Sequence, residues 1–236
     1  MSQGGSRVLR TKRRLKEAVL RALHRRLNVS FSKAGDDIQL KKLLPRAPGT
    51  YVDIGCWHPV KASNTYYFHL RGWKGICVDP NPELRVPFEA ARPGDTLITA
   101  GVAPTAGSME YFMLRDPHSS MNTLSRQFLE EQGLMVHVKQ TMAVPTVPLA
   151  DLLERYIGPD DRLDFFDVDV EGYDLAVLQT NDWSRFRPKI VVVESHDPLA
   201  SDVQSETARY LADVGYGLAG KSVILGDLGN LFFVRR

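Results

Sequence analysis

Residues Tyr51-Val52-Asp53-Ile54-Gly55 leave this chain little choice of fold. Short apolar side chains run into an acid and a glycine, the pattern of a buried strand that ends where the backbone turns tightly. Ser63-Asn64-Thr65 then opens a helical stretch over residues 66–70 that stops at Gly72, and a second strand over residues 75–79 also ends in an acid. Strand, turn, helix, strand, acid is the opening unit of a nucleotide-binding α/β sheet. The glycine lets backbone approach a ligand, and the acid accepts hydrogen bonds from ribose hydroxyls. Gly55 and Asp79 stand 24 residues apart, against about 20 in such units.

The rest of the chain continues the alternation. Strands are expected over residues 96–102, 108–114, 136–147, 163–170 and 189–193, with a closing hairpin from 216–218 and 231–234. Helices are expected over 83–91, 148–156, 173–178 and 203–214. This order predicts a doubly wound, Rossmann-like α/β fold: a mostly parallel sheet with an antiparallel C-terminal hairpin. Residues 1–34 form an N-terminal basic helical arm and residues 35–236 the body. Cys56 and Cys77, the only cysteines, are expected as buried free thiols of a reducing, cytoplasmic compartment.

In such a sheet ligands bind outside the carboxyl ends of the strands, and that edge collects Asp53, Gly55, Asp79, Asp169, Glu171, Glu194 and His196. Gly55 is followed by the bulky Cys56-Trp57-His58-Pro59, without the G-x-G-x-x-G that seats a pyrophosphate. This argues against NAD or FAD and for an adenosine ligand lacking phosphate, S-adenosylmethionine. Asp79 is assigned to the ribose, and Asn64 with backbone near Gly55 to the amino-acid end. Asp53, His58, Ser63, Thr65 and Asn81 complete the expected cofactor-binding set. Trp57, Trp73 and Trp183 either stack on a sugar or, as is the default for tryptophan, pack in the core.

Asp53-Ile-Gly-Cys-Trp-His-Pro, Ser63-Asn-Thr-Tyr-Tyr, Gly72-Trp-Lys-Gly-Ile-Cys-Val-Asp-Pro-Asn-Pro, Asp167-Val-Asp-Val-Glu-Gly-Tyr-Asp and Arg187-Pro-Lys-Ile-Val-Val-Val-Glu together resemble the FkbM family of methyltransferases. The resemblance covers residues 50–197 and departs from the general class I pattern in lacking later glycines after Gly55. It implies a class I methyltransferase fold, S-adenosylmethionine as donor, and O-methylation of a hydroxyl on a sugar, glycan or polyketide-type product. A hydroxyl is a poor nucleophile at neutral pH, so the reaction needs a base, a metal or both. Asp169 is the first choice for contact with the acceptor or a metal, with Glu171 on the same face. His196, with an ordinary pKa near ~6.5, suits a base. Mg²⁺ between Asp169 and Glu194 is the metal alternative. Asn122-Thr123 either borders the acceptor or makes a plain turn. The rival reading is a non-catalytic methyltransferase-like binding module. No nucleic-acid partner is expected, since no N-P-P-Y type motif for a flipped base occurs.

Residues 1–30 hold nine Lys/Arg and one acid, a net +8, which leaves −6 on the rest of a chain whose total is +2. Over residues 7–28, Val8, Leu15, Val19, Ala22, Leu23 and Leu27 recur at helical spacing beside these charges. The two alternatives are a helix docked on the body or on a second copy in a homo-oligomer, and a helix lying on an anionic membrane surface. Each Lys/Arg near such a surface contributes about 1 kcal/mol, screened by salt. On the membrane reading, the full chain cosediments with anionic vesicles at low salt while a chain starting near Gly35 stays in the supernatant. Full-length protein left in the supernatant makes the arm a packing element.

Overall fold

The computed structural model describes residues 15, 18–20, 22, 28–44, 46–158 and 161–236. Most of the basic helix expected over residues 7–28 therefore lies outside the described residues. Leu15 and Val19, two stripe positions within them, are exposed. No helix of the described residues is long and apolar enough to cross a membrane.

The body opens with α1 (Asp36–Leu43), β1 (Thr50–Ile54), α2 (Tyr66–His69), β2 (Lys74–Val78), α3 (Arg85–Ala91), β3 (Thr96–Ile98), β4 (Gly101–Val102) and β5 (Gly107–Leu114). It continues with α4 (Arg126–Glu131), β6 (Val138–Val147), α5 (Leu149–Tyr156), β7 (Leu163–Val168), α6 (Asp174–Gln179) and β8 (Ile190–Ser195). It closes with α7 (Leu199–Asp202), α8 (Glu206–Asp213), β9 (Tyr216–Leu225) and β10 (Leu228–Arg235). Seven strands form the main sheet in the order β3-β2-β1-β7-β8-β10-β9. All neighbours are parallel except β10, which runs antiparallel to both β8 and β9. The closing hairpin is longer than the sequence pattern marks, because its outer strand is only half buried and its alternation is weak.

The strands are apolar on both faces, as a sheet covered on both sides requires. Val52, Ile54, Phe166, Val168, Val191 and Val193 pack against Leu149, Leu153, Val177, Leu178 and Leu211 of α5, α6 and α8. Tyr51, Cys77, Phe165, Val192 and Phe232 face the other way, onto Leu40, Tyr67, Phe68 and Phe88 of α1, α2 and α3. Cys56 and Cys77 are both buried free thiols.

One expectation is corrected. The strand expected over residues 96–102 breaks at Ala100: β3 pairs with β2, whereas Gly101 and Val102 leave the sheet to pair with Thr146 and Val147. A second, three-stranded sheet, β4-β6-β5, results. Its β5–β6 ladder runs from Gly107↔Thr146 to Leu114↔Val138, and it carries β5 out over the carboxyl edge of the main sheet. Pairing between segments about 40 residues apart is not encoded in either segment alone, which is why periodicity joined β3 to β4.

Beneath that edge lies Arg92, 1% exposed. Its guanidinium donates to the Pro59 carbonyl (2.7 Å), to Ser63 Oγ and Thr65 Oγ1 (2.8 Å each), and stands 3.8 Å from Asp53 and 3.7 Å from Asp95. Asp95 in turn accepts from the Tyr51 hydroxyl (2.7 Å) and the Gly75 amide (3.0 Å). This network ties β1, β2, α3 and the loop after β1 together. Removing the cation would leave two buried carboxylates unpaired, at about 3–5 kcal/mol. Arg92→Met is therefore expected to lower the unfolding free energy by about that amount in urea titration, with Arg92→Lys recovering only part, since one ammonium cannot reach all the acceptors. A loss below ~1 kcal/mol would remove Arg92 from this role.

Candidate active site

Strand order reverses between β1 and β7, and there the register aligns the carboxyl ends. Ile54 pairs with Val78 on one side and Val168 on the other, and Val168 pairs with Val193. The next residues in each strand are Asp79, Gly55, Asp169 and Glu194, which thus stand side by side. Gly55 has φ 87°, and a Cβ on it would lie 1.7 Å from the Asp169 carbonyl oxygen, so no other residue fits. Its amide donates to the Val78 carbonyl (2.8 Å), and the Asp169 amide to the Ile54 carbonyl (3.0 Å).

A cleft of about 500 Å³ opens over this point. Val78, Pro80, Ala100, Val102 and Leu124 form its apolar wall, Gly55, Asp79 and Asp169 its floor, and Tyr111 and Asn122 the roof supplied by the small sheet and its loop. Asp79 Oδ2 accepts from the Trp57 amide (3.0 Å), and Oδ1 from the Asn81 amide (2.8 Å) and the Tyr111 hydroxyl (3.4 Å). Burial pushes the Asp79 pKa from its ordinary 3.8 to about 6 against these bonds. Trp57, with φ 34°, lines the cleft instead of the core. Trp73 and Trp183 are core, as expected.

A second cluster adjoins the cleft at Asp169. β7 ends at Val168, so the strand alternation expected through residue 170 does not place Glu171; two left-handed residues do, Glu171 at φ 52° and Gly172 at φ 88°. Asp174 holds this turn, Oδ1 accepting from the Val170 amide (3.1 Å) and Oδ2 from the Gly172 amide (3.3 Å). Thr123 fixes it from the roof, its hydroxyl donating to the Glu171 carbonyl (2.9 Å). The Glu171 carboxylate is thereby turned toward the tip of β8, where His196 Nε2 lies 3.7 Å from Glu171 Oε2 and 3.2 Å from Glu194 Oε2. Phe128 covers the imidazole, ring centroids 5.7 Å apart.

The family model of the methyltransferase FkbM domain matches residues 52–218, from β1 into β9. The chain belongs to the FkbM methyltransferase family. It is an S-adenosylmethionine-dependent methyltransferase of the class I α/β fold. No curated protein matches it. Among solved structures it is similar to an O-methyltransferase from Bacillus cereus in complex with SAH (10% identity, 95% of this chain and 91% of that one, TM-score 0.49). It is also similar to the fibrillarin pre-rRNA processing protein of Methanococcus jannaschii (11%, 87% and 75%, 0.48) and a precorrin-6y C5,15-methyltransferase from Geobacter metallireducens (13%, 86% and 88%, 0.44).

The cofactor-binding residues expected for this FkbM methyltransferase fall into two groups. Gly55 and Asp79 line the cleft. Asp53, Ser63 and Thr65 do not: they sit below it, with Thr65 Oγ1 donating to Asp53 Oδ2 and Arg92 bonded to Ser63 and Thr65. Asn64 Nδ2 donates to Asp167 Oδ1 (3.1 Å), also outside the lining. His58 Nδ1 accepts from the Val60 and Lys61 amides (3.0 and 2.9 Å), closing its own loop. Asn81 caps the turn after β2, its side chain accepting from the Glu83 amide. These residues shape the loop after Gly55, which has no glycine-rich fingerprint to shape it. Tyr111 and Arg92 were not legible as site residues, since each reaches the site through tertiary contact alone; Asp174 acts locally, on the turn of the Asp-x-Glu-Gly block.

The acceptor-side residues behave differently from their free forms. Burial, with Glu194 and Glu171 adding repulsion, drives Asp169 well above the carboxylate range. Burial likewise brings Glu171 to about 7. His196 is raised to about 10 by Glu171 and Glu194, so it is an imidazolium at neutral pH and not the free base expected from an unperturbed pKa.

To accept two ribose hydroxyls, the role expected of it from the sequence, Asp79 must be ionised. Affinity for S-adenosylmethionine, measured by calorimetry, is therefore expected to be level above pH 7 and to fall as pH drops through about 6, by at most tenfold per unit for one proton. Asp79→Ala should weaken binding by about 2–4 kcal/mol and flatten the profile. A profile unchanged in Asp79→Ala would assign the titration to another group.

Proposed function

We propose that this enzyme transfers the methyl group to a hydroxyl of a sugar, a glycan or a glycosylated natural product. The observation that carries the reading is the cluster of acids Asp169, Glu171 and Glu194 at the strand ends, which meets the cleft at Asp169. Hydroxyl-rich acceptors donate hydrogen bonds, and a row of carboxylates is the complementary surface. A polyketide or macrolide hydroxyl is the second reading and meets the same groups.

The cleft fits the cofactor: an apolar wall for a purine, Asp79 for the ribose, and a glycine that admits backbone-close approach. When bound, S-adenosylmethionine supplies an electrophilic methyl group. The chain's residues do the rest. Asp169, once ionised, takes the hydroxyl proton: its raised pKa makes that form a stronger base, and its Oδ1 is buried and accepts no hydrogen bond from the described residues. Glu171 and Glu194 orient the acceptor, and the His196 imidazolium holds both at 3.7 and 3.2 Å. The basic arm, +8 against an acidic body, suits a lipid-linked acceptor at an anionic membrane face.

Transfer of label from methyl-labelled S-adenosylmethionine into a panel of oligosaccharides, macrolides, amines and carboxylic acids tests this. Ether products on the hydroxylated acceptors are expected, and Asp169→Asn should lower kcat about 10²–10⁴-fold with cofactor affinity unchanged. Labelling confined to amines or carboxylates, or full activity in Asp169→Asn, would overturn the assignment.

A further inference from the structure

Glu171, Glu194 and His196 each present one donor atom, and the three lie within 4.8 Å of one another. His196 Nε2 is 3.2 Å from Glu194 Oε2 and 3.7 Å from Glu171 Oε2. A metal about 2.1 Å from each donor sets them about 3.0–3.4 Å apart at octahedral or tetrahedral angles and at most about 4.2 Å. Both distances to the imidazole fit with sub-ångström adjustment, the ion displacing the proton that His196 otherwise carries.

A second observation points the same way. Glu171 is only 4% exposed, yet its Oε2, the oxygen facing His196, accepts no hydrogen bond from the described residues. A buried carboxylate oxygen without a donor is costly unless something absent supplies the charge. The His196 imidazolium, 3.7 Å away, is shared with Glu194 and offsets only part of the cluster's charge. Asp169, Glu171, Asp174 and Glu194 stand together, and Asp174 is satisfied by the backbone amides of its own turn. Lys33 and His196 are the cations among the described residues that face them. Lys33 is exposed.

We infer that Glu171, Glu194 and His196 form a site for one divalent first-row transition-metal ion, of the Mn²⁺ or Zn²⁺ type. Two carboxylates suit hard cations, and an imidazole shifts preference from Mg²⁺ toward these metals. Of the two ligands expected from the sequence, Glu194 is in this set, while Asp169 lines the cofactor cleft instead. Three protein ligands leave positions open, and the one-third exposure of the His196 side chain opens them to solvent. The metal's role rests on the reading of this pocket as the acceptor side: an ion there would take the acceptor oxygen as a further ligand and ease loss of its proton to Asp169.

The test reads binding directly. Full-length protein is stripped with EDTA, dialysed and titrated with Mn²⁺, free ion being followed by electron paramagnetic resonance, and Zn²⁺ and Mg²⁺ are titrated by calorimetry. One equivalent of Mn²⁺ per chain is expected, Mg²⁺ binding at least tenfold more weakly. His196→Asn, Glu171→Gln and Glu194→Gln should each weaken Mn²⁺ at least tenfold. His196→Asn, at the half-exposed rim, remains informative if a buried-carboxylate variant fails to fold, and S-adenosylmethionine binding confirms its fold. Asp79→Ala should lose cofactor affinity and keep Mn²⁺. Absence of saturable Mn²⁺ and Zn²⁺ binding, or Mn²⁺ binding unchanged in His196→Asn, would overturn the site. Metal binding as expected with no transfer to any hydroxylated acceptor would instead sink the acceptor reading and leave the site standing.

Discussion

The contact between Gly55 and the Asp169 carbonyl is the constraint on which the rest of this structure depends. A Cβ at Gly55 would lie 1.7 Å from that oxygen, so β1 and β7 reach their register only with glycine there. That register levels Asp79, Gly55, Asp169 and Glu194 at one sheet edge. Three acids and the glycine that floors the cleft are thus brought level by a single strand alignment. A one-residue slip would send every side chain to the opposite face and separate these four residues.

Two electrostatic arrangements flank this edge, and they differ in kind. Below it, Arg92 stands 3.8 Å from Asp53 and 3.7 Å from Asp95 and spends its donors on Ser63, Thr65 and the Pro59 carbonyl. Hydrogen-bonding capacity is met there, which is what a structural network needs. Beside the edge, Asp169, Glu171, Asp174 and Glu194 face, among the described residues, one imidazolium and one exposed lysine, and there Asp169 Oδ1 and Glu171 Oε2 lack donors. An unbalanced buried cluster costs stability and persists in chemical sites. Its backbone shows the same character, with Glu171 held left-handed at φ 52° by Asp174 and Thr123.

The small sheet explains how a loop without the glycine-rich fingerprint still forms a cofactor cleft. The residues after Gly55 are too bulky to wrap a ligand by themselves. Instead Trp57 bonds Asp79 through its amide, His58 folds its own loop, and β5 brings Tyr111 over the top. The Tyr111 hydroxyl lies 3.4 Å from Asp79 Oδ1 and closes the cleft over that carboxylate.

What the sequence by itself determined was local and periodic. The run from Tyr51 to Gly55, the acid closing β2, the alternation of strands with helices and the Asp-x-Glu-Gly block were enough for the fold class, the cofactor and the methyltransferase family, because hydrophobic period, turn glycines and strand-end acids act over a few neighbouring residues. Tertiary structure decided which polar residues reach the ligand. Asp53, Ser63 and Thr65 carry the same short-range signature as Asp79, yet Arg92, 27 or more positions further along, draws them beneath the sheet. Glu171 joins Glu194 and His196 because a left-handed turn, not strand alternation, aims it there. The reason is physical: a side chain's hydrogen-bond partners and charge are set by groups brought close through folding. No local pattern contains that information.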